Sequence, residues 1–364
     1  MKKNGKLEFY RFVFCIAVLL YHAEKYIYGE PHYAGVIFGL FSHGSIGVEF
    51  FFLLSGFFLA RTAKRKHETF GGAPLLSRRS SSDSARFILK KYLRIFPEHA
   101  VAFLLAMVFA MMKAHLRPGG MVFYVINNFF SFFLLQMSGL LNASANHVEW
   151  YLSAMLIAMA LIYPLCRKYY YGFTRYLSPV LSLLILGALY HQTGSLTTVG
   201  TWTILGFKGV VRAFVDIMLG TSAYELSRLL SLRLVPDRVK RWIGATEGLS
   251  FIIIMVFMLS RLQKQYEFYM LPLFLLLIVC AASDCGMLSG RFDNAAIFFL
   301  GEFSFSVYLS QVPAIYVVEL FFSSCSKPLQ VILCVLITFL FALLVRAVGK
   351  ALNRRYFDRL ARIL

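Results

Sequence analysis

Long apolar stretches separated by short polar segments recur along almost the whole chain. They predict helices of about 17–25 residues, long enough to cross a bilayer. The stretches lie near residues 7–28, 43–60, 95–113, 148–166, 176–191, 206–227, 243–260, 268–284, 295–321 and 329–348. The pattern predicts an all-α, polytopic membrane protein of about ten transmembrane helices that forms a single domain over residues 1–364.

Residues 121–147 do not fit this scheme. The segment is aromatic and apolar, yet Asn127, Asn128, Gln136 and Asn142 interrupt it. An eleventh span here would reverse the orientation of every later loop. We therefore expect the segment to be interfacial or re-entrant on the outer side.

Composition supports a membrane protein and argues against a nucleic-acid partner. Hydrophobic residues make up 59% of the chain and charged residues 15%, whereas soluble domains carry about 25% charged residues. The net charge of +19 would suggest nucleic acid on a soluble surface, but here the charge lies in loops between apolar stretches. The six cysteines have neither metal-like nor paired spacing, so we expect no metal site and no disulfide framework.

The distribution of Lys and Arg predicts the orientation. Twenty-eight of them fall on the side that holds both termini, and seven fall on the opposite side. By the positive-inside rule, both termini and the basic loop at 61–94 are cytoplasmic, which predicts a multi-pass protein of the cell (inner) membrane. This loop is rich in Gly, Ser, Lys and Arg, and part of it is expected to be mobile.

Ionisable residues inside predicted spans are the first functional candidates, because charge within a membrane is costly. Arg11 and His22 lie eleven residues apart in the first span. At 100° per residue they face the same way, about 16 Å apart, and Glu8 can pair with Arg11. The alternative interpretation is an Arg that reaches the interface and a structural His.

Glu49 is expected to enter the second span from its outer end and to reach the depth of His22. A carboxylate beside an imidazole fixes its tautomer and raises its basicity, which suits a general base. A structural ion pair is the alternative. Along the sixth span, Lys208, Arg212 and Asp216 recur every four residues; this stripe either serves a ligand or contains an Arg212–Asp216 pair that neutralises itself.

A basic segment lies at the cytoplasmic mouth of the third span. Lys90, Lys91 and Arg94 alternate there with aromatic residues. Positive-inside anchoring accounts for such a segment, and so does the binding of a phosphate-bearing ligand.

Several motifs, in order along nearly the whole chain, resemble the acyltransferase 3 family of membrane-bound O-acyltransferases. The family pattern has an Arg followed eleven residues later by a His, as in Arg11 and His22. The remaining matches are residues 47–57 (GVEFFFLLSGF), 91–97 (KYLRIFP), 150–153 (WYLS) with 163–164 (YP), and 301–309 (GEFSFSVYL).

Three positions depart from the family pattern. Lys91 replaces the first Arg of the basic motif, which keeps the charge but loses the bidentate fork. Met155 stands where many members have a Glu, so that acidic residue cannot be carried over. Gln311 stands where a His often follows the late Tyr-Leu pair.

The resemblance implies an enzyme that transfers an acyl group, most often acetyl, from cytoplasmic acyl-CoA to a hydroxyl of a carbohydrate or other acceptor at the outer face. Acyl-CoA is then a co-substrate, and no cofactor is expected to be permanently bound. The coenzyme phosphates would lie near the basic residues Lys90, Lys91 and Arg94, with Arg11 further along the path.

Under the same hypothesis, His22 deprotonates the acceptor hydroxyl and Glu49 orients the imidazole of His22. Trp150 and Arg212 line the acceptor entrance. The candidate hydrogen-bond donors to the oxyanion of the intermediate are, by their position alone, Ser55, Tyr308 and Gln311.

The sequence is compatible with two other functions. A transporter or flippase for a lipid-linked glycan would also use intramembrane His, Glu and Arg. A scaffold or sensor with degenerate motifs fits less well, because it has no need to retain costly buried charges.

Overall fold

The computed structural model describes residues 4–29, 41–70, 78–140, 144–232, 235–286 and 290–357. Within them the α-helices are α1 Gly5–Tyr28, α2 Gly47–Phe70, α3 Arg78–Lys113, α4 Pro118–Asn127, α5 Phe129–Phe132, α6 Trp150–Lys168, α7 Tyr170–Gly172, α8 Ser178–Thr193, α9 Lys208–Ser231, α10 Asp237–Leu259, α11 Glu267–Ser283, α12 Ala295–Phe321 and α13 Lys327–Leu352.

Shorter elements connect these helices. Strands β1 Trp202–Thr203 and β2 Gly206–Phe207 form a small antiparallel hairpin. Single 3₁₀ turns lie at Gly44–Ile46, Gln136–Ser138, His147–Glu149 and Lys264–Tyr266, and π-helical turns at Phe173–Leu177 and Asn353–Phe357. The predicted helical fold class therefore holds, with one hairpin as the exception.

Each of the ten predicted spans coincides with a helix. Eight helical segments of the described chain are long and apolar enough to cross a membrane. The two predicted spans outside this set are α1 and α9, each 24 residues long. They fall outside it because of the charges along them. Most of these charges are buried in the bundle: Lys6 and Glu8 of α1, and Lys208, Arg212, Asp216 and Glu225 of α9.

The segment after the third span contains only short helices in its described part. The longest, α4, has 10 residues and is about 15 Å long, half of what a bilayer core requires. This agrees with the expectation that residues 121–147 do not cross the membrane.

The expected cytoplasmic loop at 61–94 needs correction. Helix α2 continues to Phe70 and α3 already begins at Arg78, so most of the segment is helical. Hydropathy marks only the part of a helix that lies in lipid, and the Arg- and Lys-rich extensions are good helix formers in water. Residues 71–77, on which part of the expected mobility falls, lie outside the described residues.

Helices α1 and α12 lie side by side and run in the same direction. Near their starts, the backbone of Gly301 packs on Glu8, and seven residues beyond Glu8 the thiol of Cys15 donates to the carbonyl of Ser304, 3.1 Å away. The pairing continues toward the other end of both helices. A parallel pair is what the ten-span topology requires of its first and ninth spans.

Helices α2 and α9 make the closest helix contact in the core. Gly56 lies directly against the backbone of Ile217, and Gly220 against the backbone of Leu53. Small residues let helix backbones approach in this way inside membranes. This contact sets the depth at which the charged residues of the two helices meet.

Candidate active site

His22 lies in the C-terminal part of α1 and is held in place by one hydrogen bond with α12. Its Nδ1 is 2.8 Å from Oε1 of Gln311. The amide of Gln311 cannot be turned around, because its Nε2 donates to the carbonyl oxygen of Tyr308, 2.7 Å away. Oε1 must therefore accept, and Nδ1 of His22 must carry the proton.

This arrangement leaves the other ring nitrogen of His22 as a proton acceptor. Nε2 of a neutral imidazole with a protonated Nδ1 has a free lone pair. No described residue forms a hydrogen bond with this atom. The ring is partly exposed, so the lone pair is accessible to a ligand.

Arg11 lies three helical turns from His22 on the same helix. Its guanidinium donates to Glu8 at 2.8 Å, and about a quarter of its side chain is exposed. The charge of Arg11 also reaches Lys91 and the hydroxyl of Tyr151. Arg11 therefore lies between Lys91, near one end of the bundle, and Tyr151 in its interior.

The expectation that Glu49 orients His22 is not supported by the structure. Phe50 packs its ring on Phe14, with 4.8 Å between centroids, so Glu49 lies about two helical turns deeper than His22. Its carboxylate accepts a hydrogen bond from Arg212 instead. Gln311 takes the place beside the imidazole that the sequence assigned to Glu49.

Glu49, Arg212 and Asp216 form one buried cluster between α2 and α9. All three are at most 4% exposed, and the carboxyl group of Asp216 lies close to that of Glu49. The guanidinium of Arg212 lies over the ring of Trp150, 5.4 Å from its centroid. The two predicted acceptor-side residues Trp150 and Arg212 are thus in contact, and Arg212 is engaged within the protein.

The three candidate oxyanion donors differ in whether their donor groups already form hydrogen bonds within the protein. The hydroxyl of Tyr308 donates to the carbonyl of Val148 at 2.7 Å, and the amide of Gln311 is occupied as described above. Within the described part of the chain, the hydroxyl of Ser55 forms hydrogen bonds only with the Tyr151 hydroxyl at 3.4 Å and the sulfur of Met155 at 3.3 Å. Thioether sulfur is a weak acceptor, so Ser55 has the most available hydroxyl of the three.

A basic cavity of about 620 Å³ opens at the other end of the bundle. Arg94 of α3 lines it, together with residues from the polar extension of α2 and from the C-terminal part of α9. The lining residues are Phe58, Arg61, Thr62, Lys64, Arg65, Glu68, Arg94, Tyr224 and Arg228. Among the residues that the structure describes, Lys64 pairs with Glu68 and Arg228 with Glu225, whereas Arg61, Arg65 and Arg94 have no carboxylate partner.

Two lysines predicted to join Arg94 occupy different positions. Lys91 points inward and lies within electrostatic range of Arg94 and Arg11. Lys90 is exposed on the outside of α3 and does not line the cavity. The structure therefore brings Lys91 and Arg94 together and leaves Lys90 apart.

Sequence reasoning missed a cluster next to His22. Tyr26 follows His22 by one helical turn, and its hydroxyl is 2.7 Å from Nε2 of His147. The rings of His22 and His147 are 6.2 Å apart and nearly perpendicular. The spacing of four residues between His22 and Tyr26 was a usable signal, because it places both on one helix face.

A fully buried polar network, also missed, supports this cluster from behind. His99 donates to the carbonyl of Phe132 at 2.8 Å, and its Nδ1 lies 3.1 Å from Glu149. Asn146 donates both to Glu149 at 2.8 Å and to the carbonyl of Leu309 at 2.9 Å. These bonds fix the turn that carries His147 against α3 and α12.

The helical bundle and its interior histidine define a multi-pass membrane protein with a polar site inside the bundle. Residues 4–347 match the family model described as an acyltransferase domain. The chain therefore belongs to the acyltransferase 3 family, which confirms the resemblance found in the sequence motifs, and acyl transfer is its class of activity. No curated protein and no solved structure matches the chain.

Proposed function

We propose that this protein is an acyl-CoA-dependent O-acyltransferase, with acetyl as the transferred group. The donor enters from the cytoplasm and the acceptor is a hydroxyl of a carbohydrate at the outer face of the cell membrane. The observation that carries the proposal is the state of His22: Gln311 holds its Nδ1 proton, and Nε2 is left free to accept one.

The basic cavity supports an anionic donor on the opposite side. Coenzyme A carries phosphates, and Arg is the side chain best suited to bind them because of its planar fork of donors. Arg61, Arg65 and Arg94 face this cavity without carboxylate partners among the described residues. Lys91 and Arg11 extend the positive charge from the cavity toward His22.

In the proposed reaction, Nε2 of His22 removes the proton of the acceptor hydroxyl as its oxygen attacks the thioester carbonyl. Ser55 follows Glu49 by six residues on α2 and lies deeper still, so it is too far from His22 to donate to the oxyanion that develops. The intermediate collapses when the carbon–sulfur bond breaks, and the proton on Nε2 passes to the departing thiolate. The products are the ester and free coenzyme A, and His22 returns to its starting state.

The test is label transfer by purified protein in nanodiscs, with labelled acetyl-CoA and a panel of methyl glycosides. Loss of a general base typically costs about 10²–10⁴ in rate, so His22→Gln should lose nearly all transfer while it still binds acetyl-CoA. His191→Gln is a matched control, because His191 is an exposed histidine at the end of α8. If His22→Gln retained more than about a tenth of the wild-type rate, His22 would be structural and another group would be the base. If wild-type protein transferred no label, a transporter would be the better hypothesis.

A further inference from the structure

The outer end of α1 presents two side chains beside His22 that the reaction described above does not use. Tyr26 is 36% exposed and His147 is partly exposed, and a 2.7 Å hydrogen bond joins them. Their ring centroids are 5.1 Å apart. The pair therefore forms an accessible polar surface next to the free lone pair of His22.

The chemistry of the pair suits a hydroxyl ligand. If the Tyr26 hydroxyl donates to Nε2 of His147, then Nδ1–H of His147 is a free donor and the tyrosine oxygen is a free acceptor. If the imidazole donates instead, Nδ1 is the free acceptor and the tyrosine proton is the free donor. In either tautomer one donor and one acceptor remain, which is what a hydroxyl group requires.

The position of the pair is fixed by the buried network behind it. Both neighbours of His147 in the chain are tied to α12, since Asn146 donates to the carbonyl of Leu309 and the carbonyl of Val148 accepts from Tyr308. Sites held on rigid elements with a supporting layer of hydrogen bonds bind with defined geometry. By contrast, Arg212 is 4% exposed and engaged with Glu49, so it offers little to a ligand from outside.

We propose that Tyr26 and His147 form the acceptor subsite and bind a second hydroxyl of the acceptor while His22 deprotonates the first. The inference rests on the proposed O-acyl transfer and specifies its acceptor as a polyhydroxylated molecule. An alcohol with one hydroxyl lacks the group that the pair binds. Tyr26 and His147 therefore determine the selectivity of the enzyme for polyols over simple alcohols.

The experiment compares the best methyl glycoside of the panel with n-propanol, using labelled acetyl-CoA and protein in nanodiscs. Tyr26→Phe and His147→Gln should each lower the ratio of kcat/KM for the glycoside to that for propanol by about tenfold, as expected for one hydrogen bond of about 1.4 kcal/mol. Acetyl-CoA affinity should be unchanged. The matched controls are Tyr190→Phe and His191→Gln, a neighbouring Tyr–His pair at the end of α8 with rings 6.0 Å apart, and they should leave the ratio unaltered.

The outcomes separate the two proposals. If wild-type protein transfers label to a glycoside but the ratio stays the same in both variants, the subsite is wrong and the proposed function stands. If the rates with glycoside and propanol fall equally, the pair positions His22 and binds no acceptor. If wild-type protein transfers no label to any hydroxyl compound, the proposed function is wrong and the subsite with it.

Discussion

The side-chain oxygen of Gln311 accepts a hydrogen bond from Nδ1 of His22 at 2.8 Å, and this contact links the middle of α12 to the C-terminal part of α1. Gln311 stands where the family pattern described above often has a His. Here the glutamine amide, anchored on the Tyr308 carbonyl, sets the tautomer of the His22 imidazole. Gln311 is in this sense a positioning residue and not the oxyanion donor that its place in the sequence suggested.

Replacement of Gln311 tests that role. Gln311→Leu should lower kcat by up to about tenfold, because the orienting hydrogen bond contributes about 0.5–1.5 kcal/mol, while the KM for acetyl-CoA stays constant. Gln311→Glu keeps an acceptor for Nδ1 but loses the donor to the Tyr308 carbonyl, so it should retain more activity than Gln311→Leu and less than wild type. Steady-state kinetics of the purified variants measure both. Equal kcat in Gln311→Leu and wild type would refute the positioning role.

The basic cavity predicts a donor-side effect of charge reversal. Arg94→Glu and Arg65→Glu should each raise the KM for acetyl-CoA by about 10- to 100-fold, because each removes a charge-assisted contact of about 1.5–3 kcal/mol. Arg86→Glu is the control, since Arg86 is exposed on the same helix and does not line the cavity. If all three variants have wild-type KM but poor membrane insertion, the arginines serve only as topological anchors.

The contact between Glu49 and Arg212 predicts a stability effect. Arg212→Ala leaves the Glu49 carboxylate buried without its cation, and loss of one partner of a buried pair costs about 3–5 kcal/mol. We expect a markedly lower melting temperature in detergent, and partial recovery in the Glu49→Gln/Arg212→Met double variant. A single variant that melts like wild type but binds acceptor weakly would instead favour the ligand contact expected from the sequence.

The orientation can be tested with an impermeant thiol reagent on intact cells. In a background with the partly exposed Cys285 and Cys325 replaced by Ser, Gly200→Cys should be labelled and Lys90→Cys should be protected. Lys90 is exposed, and a side chain added at Gly200 meets no neighbouring atom, so access depends only on the side of the membrane. The reverse labelling pattern would exchange the donor and acceptor sides.

The apolar pattern located every long helix because the length of an apolar stretch is a local property. It misplaced the ends of α2 and α3, whose polar extensions are helical outside lipid. These extensions supply Arg61 and Arg65, and nothing in the hydropathy of the chain indicates that their side chains converge on one cavity with Arg228.

The contacts between the residues of the site were harder to predict from the sequence than the residues themselves. That His22 and Arg11 face the same way could be predicted because both lie on one helix, where the spacing of residues fixes the direction of their side chains. The depth of Glu49 depends instead on how the 3₁₀ turn before α2 packs on α1, which only tertiary structure determines. His147 meets Tyr26 across 121 residues of sequence, and such a contact leaves no periodic signal in the chain.

The backbone contact at Gly56 and Gly220 has a consequence for movement during turnover. Two helices that touch backbone to backbone have no side-chain layer in which to slide, so we expect α2 and α9 to move as one body. That body carries Arg61 and Arg228 at the cavity and Arg212 deeper in the membrane. If an acyl donor enters the basic cavity, as proposed above, we expect the opening that admits it to come from displacement of neighbouring helices against this body, in the first place α3, which contributes Arg94 to the cavity wall.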